Sequence, residues 1–268
     1  MPPDGRPAAR GWRRTAAAWL PFLAATALFN AMRGLIYVLV ERDVRPVFVD
    51  YAVEADAVLL GVPSVCTWVQ AAARTPALDL AMVAVHASHF VYFLVVGALV
   101  WRARPDAFWQ YRRVLLAVMA GGLAGYVAAP TAPPWMAAEL GALPPVAHVK
   151  AGVYSAVPAL FAAFDTNPVA AMPSLHAAFP VACALLLWRL VSRRAGALAW
   201  TYVALVSFAS IYLGEHYVVD LVAGGALAVA SFVLLRVPPR LAPGDRLGAS
   251  VAVSAILAGA AVVVAALS

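Results

Sequence analysis

Two histidines and one aspartate have the residue types and spacing for covalent chemistry on an anion. In "AMPSLHAAFP", residues 171–180, His176 stands two residues after Ser174, and an apolar run follows at once. Ser174 is placed as a helix N-cap, so the spacing predicts a helix whose first turn bears the imidazole. Its free backbone N–H groups and the positive end of its dipole would suit an anion. In "YLGEHYVVDLVAGG", His216 and Asp220 lie four residues apart at the mouth of another apolar run, so one helix face carries both. A carboxylate beside an imidazole accepts its N–H, fixes its tautomer and favours its charged form. That is the orienting half of a nucleophile or general base. Each feature also has a bland reading, a capped helix with its ring at headgroup level and an ion pair that helps helices associate. His86 and His89, three apart, share a further face. A metal or haem there would need ligands from facing elements, and none is visible, so the pair reads as packing or as hydrogen bonding behind the site. Glu215 and His148 read as solvated.

The elements that must position these residues are membrane helices. The 268 residues are 64% apolar and 12% charged, against about 45–50% and about 25% in soluble proteins. The net charge of +6 is almost all arginine, with Lys150 the sole lysine, and the arginines are scattered over several loops, which argues against a nucleic-acid surface. Cys66 and Cys183 fall in separate segments, so neither a disulfide framework nor a thiolate metal cluster is expected. Runs long enough to span a bilayer lie near 15–40, 77–101, 112–130, 176–192, 196–214, 217–235 and 249–267. The expectation is an all-α polytopic bundle with a six-helix core and a seventh, C-terminal transmembrane helix. The first run lacks a small-residue cleavage site and reads as a retained helix.

Arginines cluster before the first run (Arg6, Arg10, Arg13, Arg14), between the second and third (Arg102, Arg104, Arg112, Arg113), after the fourth (Arg189, Arg193, Arg194) and after the sixth (Arg236, Arg240, Arg246). The other loops carry Glu41, Asp43, Asp50, Glu54 and Asp56, with fewer cations. By the positive-inside rule the N-terminus is cytoplasmic, and both histidine motifs open on the external side. The expected division is a basic segment over 1–14, a membrane domain over 15–235, and a linker with the last helix over 236–268. The long external loop near 131–170 is proline-rich, and its Trp135, Tyr154 and Phe161 suit a membrane interface.

In their order, "PTAPPW", "NPVAAMPSLH" and "YLGEHYVVD" resemble the signatures of the type 2 phosphatidic acid phosphatase superfamily, whose general patterns include PSGH and SRxxxxxHxxxD. They are more similar to its inositol phosphorylceramide synthase branch, where PSLH, APPW and YLxxHYxxD are usual; "DAVLLGVPSVCTWVQ" resembles the segment after that branch's first helix. The resemblance spans about residues 20–230. It implies that His216 attacks a lipid-linked phosphorus and forms a phosphohistidine, that Asp220 holds its tautomer, and that His176 protonates the leaving oxygen and then activates water or an alcohol. It implies no metal and no cofactor. The partners expected are a lipid phosphate substrate and membrane lipids, in a bacterial plasma membrane with the site on the external face.

The superfamily's general pattern binds phosphate with a Lys and two Arg that this chain lacks, with Ser210 standing at the third-signature Arg. The replacement cation is expected from Arg33, in the outer half of the first helix, because a charge there otherwise lacks a reason. Lys150 and the backbone amides after Pro173, at Ser174 and Leu175, are alternatives. Arg33 could equally be a structural partner of Asp79. Transfer to an alcohol and hydrolysis by water both stay open, as does a channel, transporter or scaffold that uses the same residues for proton relay or packing.

Overall fold

A computed structural model of the chain describes residues 7–154 and 166–237. Helix α1 runs Pro7–Glu41, followed by α2, Asp50–Leu60, and α3, Val65–Ala73. Next come α4, Pro76–Ala103, α5, Phe108–Ala128, and two short helices, α6, Pro134–Glu139, and α7, Val149–Tyr154. Helix α8, Leu175–Leu186, continues into a π-helical turn, Leu187–Val191; α9, Arg193–Tyr212, and α10, Val218–Leu234, complete the described chain. The all-α class expected from the sequence is what the structure has. The predicted seventh helix near 249–267 lies outside the described residues, as do Phe161, Arg240 and Arg246.

Each long helix starts where local chemistry permits it. Thr75 caps α4 by accepting the Leu78 N–H at 3.2 Å, with Pro76 at the first position, where its missing N–H costs nothing. Ser192 caps α9 through the Ala195 N–H at 3.0 Å. Gly61 ends α2 in the left-handed region at φ 73°, a conformation that glycine adopts without strain.

Helix α8 sits at the centre. Nearly every residue from Leu175 to Leu186 is buried, the signature of a helix covered on all sides. Its run of Ala177, Ala178, Ala182 and Ala184 lets α9 and α10 approach closely, as small residues do in membrane bundles, while α4 and α5 close the remaining sides. Helix α1 packs chiefly on α5 and turns Trp12, Leu20, Leu28 and Leu35 outward. On α10, Val222, Val229 and Leu234 are exposed in the same way. So much apolar surface is costly in water and natural in lipid.

Among the described residues, Gly11–Glu41, Pro76–Ala103 and Arg193–Tyr212 are long and apolar enough to cross a membrane by length and composition. Leu175–Val191 and Val218–Leu234 are shorter apolar helices, and α2 with α3 forms a pair bent by 75°. The segment between the first and second runs, expected as a loop, thus holds two helices that together are apolar enough for a broken span or a re-entrant loop. The proline-rich loop is also ordered where it is described. Thr131, fully buried, bridges in parallel to Phe48 on one side and Ala170 on the other, and it pairs with the Tyr51 hydroxyl at 2.5 Å. Trp135, expected at an interface, is instead buried and stacked on His148, with ring centroids 3.8 Å apart.

Two contacts fix the entrance of α10 against α8. Asp56 of α2, wholly buried, accepts the Val218 and Val219 N–H groups at 3.0 and 2.8 Å, satisfying first-turn donors that would otherwise be orphaned. Burial holds the Asp56 carboxyl above its ordinary value, and these backbone bonds offset that only in part. Gly224 lies so close to α8 that an added Cβ would stand 2.0 Å from the Ser174 carbonyl oxygen.

Two stability outcomes follow from these contacts. Gly224→Ala should cost about 1–3 kcal/mol or more from forced overpacking. Gly225→Ala, where an added Cβ meets nothing within 4 Å, should be neutral or gain up to about 1 kcal/mol from helix propensity. Thermal unfolding in detergent checks the contrast, and equal behaviour of the two would contradict the close approach. Asp56→Ala should destabilise by about 1–3 kcal/mol for each donor left unpaired, measured in the same way; a variant as stable as the parent would mean that these bonds do not anchor α10.

Candidate active site

Ser174 ends the irregular segment that leads into α8, and its backbone, rather than its side chain, does the joining. The Ser174 N–H donates to the Asp220 carbonyl at 3.0 Å, tying the start of α8 to the first turn of α10. The expected side-chain cap is not formed, and the Ser174 hydroxyl is buried with no hydrogen-bond partner. The Ser174 amide is therefore already engaged, while Leu175 lies on the cavity wall. Glycines on α5 seat this turn: a Cβ on Gly125 would come within 2.3 Å of the Pro173 ring, and one on Gly122 within 2.9 Å of Leu175.

This joint brings His176 and His216 together. His176 Nδ1 lies 3.2 Å from His216 Nε2, and His216 Nδ1 lies 3.4 Å from Asp220 Oδ2. The same Asp220 oxygen accepts the Tyr217 N–H at 2.9 Å, so the carboxylate is held as a helix cap while it faces the ring. One proton assignment suits the row: His216 Nε2 takes the Nδ1–H of His176, which leaves the proton of His216 on Nδ1, facing Asp220 at 3.4 Å without a formed hydrogen bond. Asp220 has no exposed surface, and His216 is nearly as buried. Such an arrangement presents one imidazole nitrogen as a nucleophile, oriented from behind, and a second imidazole at its side.

A cavity of about 190 Å³ opens beside the two rings. Arg33, Asn30 and Phe29 of α1 form one wall, His86, His89 and Phe93 of α4 another, and Lys150 and Glu215 a third. Arg33 is on this wall rather than on Asp79. Asp79 is held by Arg74 at 3.2 Å and by the Tyr212 hydroxyl at 2.5 Å, so the structural pairing considered for Arg33 does not form. The guanidinium lies over the Phe29 ring at 5.9 Å, and its Nε is buried with no hydrogen-bond partner. Lys150 is also buried and bonds Glu215 at 2.7 Å.

Several residues differ from their sequence reading. Glu215 is an ion-pair partner of Lys150, and His148 stacks on Trp135 with Glu215 3.9 Å away, so neither is simply solvated. His86 and His89 do pack against the site, and what the sequence left open is the partner: both rings lie against His176, with centroids 3.8 and 4.2 Å from it. Their spacing on one face was the signal, and an apolar neighbourhood hid which helix they would meet. Asp56 was readable only as a loop acid, although it heads the segment "DAVLLGVPSVCTWVQ". Among the described residues, no three His, Cys, Asp or Glu side chains are grouped to hold a metal ion.

Residues 55–234 match the profile of the PAP2 superfamily, a stretch that includes His86, His89, His176, His216 and Asp220. No curated protein and no solved structure matches the chain. More than half of the sequence lies within the family match, and its apolar helices suit a bilayer. The chain is thus an integral membrane protein that belongs to the PAP2 superfamily, with a phosphatase- or phosphotransferase-type function.

Proposed function

We propose that this protein moves the phosphoryl group of a lipid-linked phosphate ester, at the external face of its membrane, through a phosphohistidine on His216. The observation that carries the reading is the row Asp220, His216, His176, with separations of 3.4 and 3.2 Å, whose two histidines lie on the wall of a cavity that Arg33 and Lys150 also line.

In the first half-reaction, His216 Nε2 attacks phosphorus, an N–P bond forms, and the P–O bond to the lipid breaks. His176, entering this step with a proton on each ring nitrogen, gives one to the departing oxygen and is left neutral. Asp220 stabilises the charge that grows on the His216 ring by accepting the Nδ1–H. In the second half-reaction, His176 takes the proton of an acceptor hydroxyl, that oxygen attacks phosphorus, and His216 is released. The protons balance over the cycle. A 3.2 Å gap between the rings leaves no room for a phosphorus with its oxygens, so substrate must separate them, and the neighbouring cavity provides the space. The Asp220 contact, at 3.4 Å, is of the kind that tightens when charge develops. Arg33 and Lys150 supply positive charge where the superfamily's signature cations are missing.

The acceptor is either water or an alcohol, and the motifs shared with the inositolphosphotransferase branch support an alcohol. The alternation of arginine-rich and acidic loops supports a cytoplasmic N-terminus with the site opposite.

The test is one experiment with several arms, on protein purified in detergent and on sealed vesicles, with phosphatidic acid or phosphatidylinositol as substrate. The parent should release or transfer phosphate, and should carry an acid-labile covalent phosphate that is absent from His216→Ala. His176→Ala should slow turnover by about 10²–10⁴-fold. If an alcohol is the acceptor, added polyol should yield a new phosphomonoester from phosphatidic acid and a new phosphodiester from phosphatidylinositol. Right-side-out vesicles should turn over added substrate without permeabilisation, and inverted ones should not. Unchanged phosphate release or transfer in both histidine variants would overturn the enzymatic reading and leave a transporter or scaffold.

A further inference from the structure

His86 and His89 are buried deeply for ionisable side chains inside a membrane helix, each with only 3% of its surface exposed. His86 Nε2 and His89 Nδ1 have no hydrogen-bond partner. Buried polar atoms in folded proteins are nearly always paired, and a polar ring in hydrocarbon is expensive to keep. Simple packing does not account for them, because Phe93 on the same helix makes aromatic contact with Phe179 and buries no polar atom in doing so. What distinguishes the two histidines is their place: both line the cavity beside His176 and His216, opposite Arg33, whose Nε is likewise buried without a partner. His86 stacks face to face on His176, with an interplanar angle of 22°, and His89 lies between His176 and Phe179, with centroids 4.2 and 5.4 Å away. Arg33 on α1 and His86 and His89 on α4, each with a buried nitrogen lacking a partner, thus line the space next to the row of catalytic groups, where His176 Nε2 and His216 Nδ1 are unpaired as well.

We propose that His86 and His89, together with Arg33, form the oxyanion cradle of this site, their ring N–H groups holding the non-bridging phosphoryl oxygens during transfer. The inference rests on the phosphoryl-transfer reading and deepens it. It gives the missing signature cations a replacement made of neutral donors as well as a guanidinium. A neutral imidazole carries one N–H, so a proton on His86 Nε2 and on His89 Nδ1 meets the need without placing two more charges in the membrane. Preorganised donors of this kind act where negative charge is greatest and need no rearrangement at the moment of reaction. The stacking also gives His86 a second effect, holding the plane of the His176 ring.

Orthovanadate, a phosphate analogue, provides a probe that does not depend on knowing the lipid. Its affinity is measured by calorimetry on detergent-purified parent, His86→Phe, His86→Ala, His89→Phe and His89→Gln, with unfolding temperature recorded for each. Phenylalanine keeps the ring and its stacking but removes the N–H. The Phe variants should unfold near the parent temperature and bind orthovanadate roughly ten- to a hundredfold more weakly, the loss expected for one hydrogen bond to a charged group. His89→Gln, which restores a donor, should recover much of that loss. Phe variants that bind as tightly as the parent, with only His86→Ala impaired, would overturn the cradle and leave ring stacking as the whole role. If the Phe variants do not fold, His86→Met and His89→Met take their place with the same expectations. Failure of the underlying reading looks different: the parent itself would not bind orthovanadate, and the cradle would fall with it.

Discussion

Asp220 is a carboxylate buried at the mouth of a membrane helix, and the groups gathered about this one residue are those that build the site. Its Oδ2 accepts the Tyr217 N–H and faces His216 Nδ1, and its carbonyl takes the Ser174 N–H. The helix start, the tautomer of one histidine and the junction with α8 therefore depend on a single residue. Breaking a buried charge's contacts is far more costly than forming them is favourable, so this node resists local rearrangement. Asp56 acts in the same way from the next layer, closing two further backbone donors of α10 from a different helix.

The rest of the bundle supplies closeness. Alanines along α8 and Gly224 on α10 let the start of α8 lie against α10, while Gly122 and Gly125 on α5 make room for the Leu175 side chain and the Pro173 ring. A side chain at Gly224 would wedge the two helices apart at the level where His176 must reach His216. Rigidity of this kind suits a reaction that needs groups held within a fraction of an ångström. The elements that must yield, the facing imidazoles, sit beside a cavity rather than in the packed core.

Local patterns showed the helical class, the central apolar runs and the three residues of the row, because each motif combines a helix start with a polar residue that hydrocarbon would otherwise exclude. The ends of α4, α9 and α10 fall within a few residues of the hydropathy reading for the same reason. Helices α2 and α3 escaped because each is short and interrupted by polar residues, and they reach span length only as a pair bent by 75°. Lys150 with Glu215, Trp135 with His148, and the stack of His86 and His89 on His176 were illegible for a different reason: each joins positions far apart in the chain. Arg33 was legible as a charge without a purpose in hydrocarbon, and the contacts of Asp79 with Arg74 and Tyr212 removed its competing partner.

The central claim is spatial, that rings borne on α8 and α10 gather around one phosphorus with a carboxylate behind them. An experimental structure of the protein with orthovanadate tests it most directly. The account predicts vanadium bonded to His216 Nε2, Asp220 on the opposite ring nitrogen, and His176 against a vanadate oxygen. Vanadate bound elsewhere, or His176 and His216 far apart and opening on different sides of the membrane, would contradict it.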